Sequence, residues 1–335
     1  MATMISSSFA LSSLSNHVIS SKLPFASSSN YFILKSNTQF RLRKCTPISL
    51  SSMKLRIQCL RDTREEDPKS KGLEWPILRR WDVPWKWQTV SLTSLACGLS
   101  FVLTGLIESA AIPYLGIQVD ELSLDQKAQI LFLDQSIVTA VVLGVIFTLT
   151  KSSETDSNEI FRYDFKEPFN LQKGWLLWAG IGLAGGALTI VLTGVVMSFF
   201  SSEAPQRDAD ALVRLLPLIG SSNISTACLL GITGVLAPVL EETVFRGFFM
   251  VSLTQWLPTP LAVFISAGVF AIAHLAPGEF PQLFSLGVAL GFSYAQTRNL
   301  LTPIMIHSLW NSGVILFLTF LQLQGYDIKE LLQGS

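Results

Sequence analysis

Seven long apolar stretches limit the folds that this chain can adopt. A helix needs roughly 20 mostly apolar residues to cross a lipid bilayer. From Thr89 onward the sequence supplies such stretches at about 89–113, 128–150, 174–200, 225–255, 260–275, 281–296 and 301–323. The fifth and sixth are short, so we expect them to be tilted, re-entrant or shielded by their neighbours. The sequence therefore predicts an all-α fold, a polytopic transmembrane bundle of about seven helices.

The charge content also indicates a membrane protein. Only 14% of the 335 residues are charged, against about 25% in a typical soluble protein. The 24 basic residues balance the 24 acidic ones, so the chain has no basic excess with which to neutralise the phosphates of a nucleic acid. We therefore expect the lipid bilayer, and no nucleic acid, as a partner.

An uneven distribution of charge separates a leader from the body of the chain. Residues 1–61 hold eight basic residues, 15 serines and no Asp or Glu, whereas the remainder holds 16 basic and 24 acidic residues. A serine-rich, acid-free start is typical of an organelle transit peptide, and the serine clusters favour the chloroplast. A cytosolic tail is the alternative. We predict a disordered chloroplast transit peptide at 1–61 and a multi-pass location in the inner envelope or thylakoid membrane.

Residues 62–88 form the predicted juxtamembrane segment. Four tryptophans lie just before the first apolar stretch: Trp75, Trp81, Trp85 and Trp87. Tryptophan is enriched where a membrane meets water. The cluster therefore predicts an interfacial aromatic belt.

The C-terminal stretches contain charged side chains in unexpected places. Between residues 224 and 323 only five residues are charged: Glu241, Glu242, Arg246, Glu279 and Arg298. The first three lie in the middle of an apolar stretch. Charged groups inside a membrane are costly and are functional candidates by default.

Helical spacing relates these charged side chains to one another. Glu242 and Arg246 are four residues apart, which allows an ion pair on one helix face. Glu241 lies about 100° around the helix from Glu242 and can face another partner. A purely structural ion pair explains Glu242 and Arg246 as well as a catalytic role does.

Two more pairs place polar groups within apolar helices. Phe270 and His274 share one helix face, and His307 and Asn311 share another. A carboxylate such as that of Glu241 can act as a general base, while imidazole and carboxamide groups can position water or stabilise an oxyanion. The alternatives are a histidine that only packs and an asparagine that only joins two helices. Together these residue types indicate a hydrolase.

Three motifs, in this order, resemble those of the CPBP family, the type II CAAX prenyl protease and bacteriocin-processing group that is also called the Abi family. The family motifs EExxxR, FxxxH and HxxxN read here as Glu241-Glu242-Thr-Val-Phe-Arg246, Phe270-Ala-Ile-Ala-His274 and His307-Ser-Leu-Trp-Asn311. The resemblance implies a CAAX protease core in the C-terminal half of the bundle. It also implies an intramembrane endopeptidase that hydrolyses peptide bonds of membrane-associated proteins or peptides.

The resemblance assigns a role to each motif residue. Glu241 with His274 would activate the attacking water, and His307 with Asn311 would stabilise the oxyanion. The supporting residues would be Glu242, Arg246 and Phe270. No cofactor is implied, although a divalent metal such as zinc, held by Glu241, His274 and His307, is the open alternative.

The resemblance also divides the body of the chain. N-terminal transmembrane helices and loops would occupy 89–224, a CPBP or CAAX protease-like domain 225–323, and a C-terminal tail 324–335.

Two other functions compete with this interpretation. Gly291-Phe-Ser293 resembles the GxS nucleophile motif of a rhomboid serine protease, although His307 follows this serine whereas the rhomboid HxxxN motif precedes it. The second alternative is a plastid membrane scaffold or chaperone without proteolytic activity.

Overall fold

The computed structural model describes residues 76–118, 121–151, 160–200 and 215–326. The predicted transit peptide at 1–61 lies outside these residues, as do Trp75 and most of the predicted tail.

Seven helices make up the described part of the chain. They are α1 (Trp87–Tyr114), α2 (Leu124–Thr150), α3 (Trp175–Phe200), α4 (Asn223–Leu253), α5 (Thr259–Ala273), α6 (Phe280–Thr297) and α7 (Leu301–Leu323). Short 3₁₀ turns lie at Pro76–Leu78, Leu216–Leu218 and Pro277–Glu279. Within the described residues there is no strand. The predicted all-α bundle is confirmed, and each helix falls on one predicted apolar stretch.

Five of these helices are long and apolar enough to cross a bilayer, namely α1, α2, α3, α4 and α7. The 15 residues of α5 rise only about 22 Å at 1.5 Å per residue, less than a hydrocarbon core of about 30 Å. The protein is therefore a multi-pass membrane protein. As expected for short apolar helices, α5 and α6 are shielded, because they pack against each other as a hairpin and α6 also packs on α3.

Helix α4 is the most enclosed of the five long helices, and α3 is the least. Helix α4 contacts α2, α5 and α7, so a polar side chain on α4 faces protein on several sides. Such a position shields a charged group from lipid. Glu241, Glu242 and Arg246 all lie on this helix.

Helix α4 is also irregular. Two π-helical segments, Ile232–Leu236 and Thr243–Met250, flank a short α-helical segment, Ala237–Glu242. Pro238 lies at the start of that short segment and has no backbone N–H to donate, which favours a change of helical register. Glu241 and Glu242 therefore lie between two π-helical segments, an irregularity that is frequent at functional sites.

Glycines on α6 and α3 bring three helices into close contact. A Cβ atom at Gly287 would lie 3.0 Å from the Cα of Ala267 on α5, and one at Gly182 of α3 would lie 2.4 Å from the Oγ of Ser293. Small residues permit this approach between membrane helices. The α5–α6 hairpin is consequently fixed closely against its neighbours.

The tryptophans before α1 differ from the expected belt. Trp81 and Trp85 are buried within the protein, and only Trp87 is largely exposed. Trp81 stacks on Tyr294 with ring centroids 5.4 Å apart, and the Nε1–H of Trp85 donates to Ser252 over 2.8 Å. The prediction of an interfacial belt is wrong for these two residues, because their rings pack the segment onto the bundle.

Candidate active site

The carboxylate of Glu241 is the centre of the candidate site. Its Oε2 lies 3.8 Å from Nε2 of His274 and 3.8 Å from Nε2 of His307. These three side chains come from α4, from the residue that follows α5, and from α7. Residues far apart in sequence thus converge at one point among the membrane helices. Both distances are shorter than two hydrogen bonds of about 2.8 Å, so a water molecule can contact Glu241 and one imidazole together.

His274 is oriented by its own helix. Its Nδ1 lies 2.8 Å from the carbonyl oxygen of Phe270, one turn earlier. A carbonyl only accepts, so Nδ1 carries the proton and donates it. In the neutral ring, Nε2 then presents a lone pair toward Glu241, the state needed to accept a proton.

The carboxylate of Glu242 joins His307 to Arg246. Its Oε1 accepts a hydrogen bond from Nδ1 of His307 over 2.8 Å and one from Nη1 of Arg246 over 2.9 Å. All three side chains are buried. Neighbouring residues of α4 thus have different partners. Glu241 faces Nε2 of both His274 and His307, whereas Glu242 binds Nδ1 of His307. The predicted Glu242–Arg246 ion pair is present.

Arg246 and Phe270 form the base of the site. The guanidinium of Arg246 lies 4.3 Å above the centre of the Phe270 ring, and its Nη2 donates to the carbonyl oxygen of Gly287 over 3.2 Å. The same phenyl ring packs against His274 and His307, with centroids 4.6 and 5.9 Å away. Phe270 therefore supports both imidazoles and the buried cation.

Asn311 lies one turn beyond His307 on α7 and contacts α4. Its Nδ2 donates a hydrogen bond of 3.0 Å to the carbonyl oxygen of Thr233, in the first π-helical segment. This is the interhelical contact expected from a membrane-embedded carboxamide. Because the amide nitrogen has two hydrogens, one N–H is still available to another acceptor.

Residues 223–313, which contain every predicted site residue, match the sequence model of a family described as type II CAAX prenyl endopeptidase Rce1-like. This part of the chain is therefore similar to the type II CAAX protease family.

Two curated proteins are similar to this chain. It is 25% identical over 164 residues to the membrane-embedded CAAX protease MroQ of Staphylococcus aureus (strain USA300), covering 46% of this chain and 61% of that protein. It is 27% identical over 85 residues to the putative membrane peptidase YdiL of Bacillus subtilis (strain 168), covering 25% of this chain and 35% of that protein. The chain thus aligns with less than two thirds of the length of each. No solved structure matches the chain.

Several contacts of the candidate site could not be predicted from the sequence. The carbonyl oxygens of Gly287 and Thr233 hold Arg246 and Asn311, yet a backbone group leaves no mark in a sequence. The hydroxyl of Tyr163, before α3, lies 3.0 Å from the hydroxyl of Thr243, the residue after Glu242. Only the close packing of Gly287, which lies in a glycine-rich run, gave a signal that could have been followed.

Ser293, the nucleophile of the rhomboid alternative, packs against α3 and lies outside the candidate site. Its hydroxyl packs against Gly182 of α3 and forms no hydrogen bond to either His274 or His307, all of which are described residues. Without a base beside it, a serine hydroxyl is a weak nucleophile.

Two other acidic residues on the membrane helices lie outside the candidate site. Glu108 of α1 and Asp134 of α2 interact with each other through their side chains.

A metal ion held by Glu241, His274 and His307 is the predicted alternative to metal-free hydrolysis. Among the described residues, no group of three or more His, Cys, Asp or Glu side chains is arranged to hold one. The alternative ligand set of Glu241, His274 and His307 is not among such groups.

Proposed function

We propose that this protein is a glutamate-dependent endopeptidase that hydrolyses peptide bonds of membrane-associated substrates within the bilayer. The observation that carries the proposal is the position of the Glu241 carboxylate, 3.8 Å from Nε2 of both His274 and His307. A buried carboxylate that faces two imidazoles can take a proton from water and pass it on. The similarity of residues 223–313 to the type II CAAX prenyl endopeptidase family supports the same reaction class.

The proposed first step is attack by water on the scissile carbonyl carbon. Glu241, positioned with His274, accepts a proton from the water as its oxygen forms the new C–O bond. The carbonyl oxygen becomes an oxyanion. When the tetrahedral intermediate collapses, the C–N bond breaks, and the proton held by Glu241 passes to the leaving nitrogen, which restores the carboxylate.

His307 and Asn311 stabilise the oxyanion in this proposal. The free N–H of Asn311 is one donor. Because Nδ1 of His307 is already occupied by Glu242, its Nε2 donates only when the ring carries both protons. Hydrogen-bond donors fixed in advance around a developing negative charge are usually the largest catalytic contribution.

The remaining motif residues keep this arrangement intact. Arg246 supplies the positive charge that lets the Glu242 carboxylate stay buried, since an unpaired buried charge is strongly destabilising. Phe270 fixes the distance between the two imidazoles through its ring. We propose that neither a metal nor another cofactor takes part.

We also propose that the protein acts in a chloroplast membrane, the inner envelope or the thylakoid. The support is the serine-rich, acid-free composition of residues 1–61, a region outside the described residues. A fluorescent protein fused after residue 61 should enter chloroplasts. Retention of the fusion in the cytosol would contradict this location.

Mapping protein termini in membranes tests the proposed activity and names the substrate. Plants that lack the protein are complemented with the wild type, with Glu241→Gln or with His274→Ala, and the N- and C-terminal peptides of membrane proteins are quantified. We expect the wild type alone to restore a defined set of cleaved termini. Restoration of growth and of all termini by both variants would instead support a scaffold or chaperone.

A further inference from the structure

A cavity of about 510 Å³ lies at one end of the bundle, away from the candidate active site. One wall is the segment 160–174 that leads into α3, which contributes the cationic side chains of Arg162, Lys166 and Lys173. The other wall is the turn between α6 and α7, which contributes Thr297 and Asn299. The position at helix ends places this cavity where lipid headgroups meet water.

The cavity is held open by contacts within the protein. The side-chain amide of Asn299, which is buried, donates to the carbonyl oxygen of Asp164 over 2.6 Å and accepts from its backbone N–H over 3.2 Å. The carboxylate of Asp164 accepts a hydrogen bond from Arg162. That hydrogen bond lowers the pKa of Asp164 from its usual value, so this carboxylate stays ionised at neutral pH. The two walls are therefore fixed relative to each other before any ligand arrives.

The cavity lining has more cationic than anionic side chains, which favours binding of an anion. Arg162 is paired with Asp164, but neither Lys166 nor Lys173 forms an ion pair within the described part of the chain. The other acid of the lining, Glu167, accepts a hydrogen bond from Asn170 over 3.0 Å. Three cationic side chains thus face two carboxylates, and among the described residues the ammonium groups of Lys166 and Lys173 form no ion pair.

Basic residues are concentrated at this end of the bundle. Eight of the ten Lys and Arg residues in the described ranges lie there: Arg79, Arg80, Lys86, Lys151, Arg162, Lys166, Lys173 and Arg298. Lys127 lies at the opposite end, and Arg246 is buried between them. A membrane face with this excess attracts anionic lipids.

Exposed apolar side chains border the cavity. Phe165, Phe169 and Leu171 are 70%, 68% and 82% exposed, although they belong to a loop that also carries the cationic residues. The Nε1–H groups of Trp175 and Trp178, in the first turn of α3, donate to the carbonyl oxygens of Phe165 and Leu171 over 3.3 and 3.1 Å. Tryptophans at a helix end and exposed apolar residues beside lysines are typical of a segment that lies in the membrane interface.

We propose that this cavity binds the phosphate of an anionic phospholipid headgroup. Lys166 and Lys173 contact the phosphate, and Phe165, Phe169 and Leu171 contact the upper part of the acyl chains. A free phosphate would use the lysines but would leave the three apolar side chains in water. The combination therefore selects a whole lipid.

Lipid titration of the purified full-length protein tests this site without reference to proteolysis. Phosphatidylglycerol is added to protein in phosphatidylcholine micelles, and native mass spectrometry gives the dissociation constant of the first bound phosphatidylglycerol. Removing each lysine should weaken binding about fivefold, so Lys166→Gln/Lys173→Gln should weaken it about 25-fold. The control Lys86→Gln/Lys151→Gln removes the same charge at the same end but outside the cavity, and should leave the constant within about twofold.

Three results would overturn the proposal. One is equal weakening by the cavity variant and the control, which would reflect general surface charge. Another is competition by millimolar inorganic phosphate that displaces the lipid completely, since the cavity would then be a free-anion site. The third is complete displacement by a soluble Glu-rich peptide, which would make it a peptide site. Unchanged thermal unfolding of both variants in phosphatidylcholine alone shows that they fold.

Discussion

The carboxylate of Glu242 accepts a hydrogen bond of 2.8 Å from Nδ1 of His307. This contact fixes both the orientation and the tautomer of the imidazole, so that Nε2 points to Glu241 at 3.8 Å. Two adjacent glutamates on one helix therefore act differently, since one faces the reacting groups and the other holds a histidine in place. Helix α4 makes this division possible, because neighbouring positions lie about 100° apart around its axis and so present their carboxylates to different partners.

Replacing Glu242 tests this division of roles. Glu242→Gln keeps the shape of the side chain but removes the charge that orients His307 and pairs with Arg246. We expect kcat for the substrate named by terminus mapping to fall about 100-fold, the size typical of a lost oxyanion donor, because His307 is no longer held in place. KM should change little. A variant whose KM rises while kcat is unchanged would place Glu242 in substrate binding instead.

Asn311 provides a test of the oxyanion site. Asn311→Ala removes the donor and should lower kcat about 10²–10³-fold, as loss of one oxyanion donor does in other hydrolases. The control is Leu309→Ala, which shortens an exposed side chain on the same helix and should leave kcat unchanged. Equal activity of Asn311→Ala and the control would reduce Asn311 to the interhelical contact with Thr233.

Gly287 tests whether the α5–α6 contact positions the site. A methyl group at this position would meet the Cα and Cβ of Ala267 at 3.0 Å, and the carbonyl oxygen of Gly287 itself accepts a hydrogen bond from Arg246. Gly287→Ala should lower the free energy of unfolding by about 1–3 kcal/mol through overpacking. It should also lower kcat, because α5 carries Phe270 and leads directly into His274.

The matched control for that change is Gly313→Ala on α7, where a new Cβ has no neighbour within 4 Å. Because alanine favours a helix over glycine, this variant should be as stable as the wild type or slightly more so. Equal destabilisation by both variants, measured by denaturant unfolding in micelles, would show that close α5–α6 packing is not responsible.

Chelation distinguishes the metal-free reaction from a metal-dependent one. We expect the purified protein to keep its full cleavage rate after dialysis against EDTA or 1,10-phenanthroline, because the proposed nucleophilic water is activated by Glu241 itself. Loss of activity that zinc restores would contradict this and would return Glu241, His274 and His307 to the role of ligands.

The sequence predicted the features of this molecule that depend on nearby residues. Apolar stretches of membrane length predicted all seven helices, and a four-residue spacing predicted the Glu242–Arg246 pair, because both follow from the repeat of a single helix. The difference between Glu241 and Glu242 followed from the same geometry. Local periodicity is sufficient where both partners lie on one helix.

Contacts between helices could not be predicted in this way. Arg246 and Gly287, or Asn311 and Thr233, are brought together by the packing of separate helices, and in each pair the acceptor is a backbone carbonyl that any residue could supply. The buried Trp81 and Trp85 show the same limit. A tryptophan cluster before a membrane helix has one local pattern, whether the rings lie in the interface or pack against the bundle.

The rate of cleavage by purified Glu241→Gln tests the central claim most directly. Wild-type protein, Glu241→Gln and Ser293→Ala are reconstituted in identical vesicles with the substrate named by terminus mapping, and cleavage is followed with enzyme in excess. The proposal predicts that wild type and Ser293→Ala cleave at the same rate and that Glu241→Gln is slower by at least about 10²-fold. Cleavage by Glu241→Gln at the wild-type rate, together with its loss in Ser293→Ala, would contradict a carboxylate mechanism.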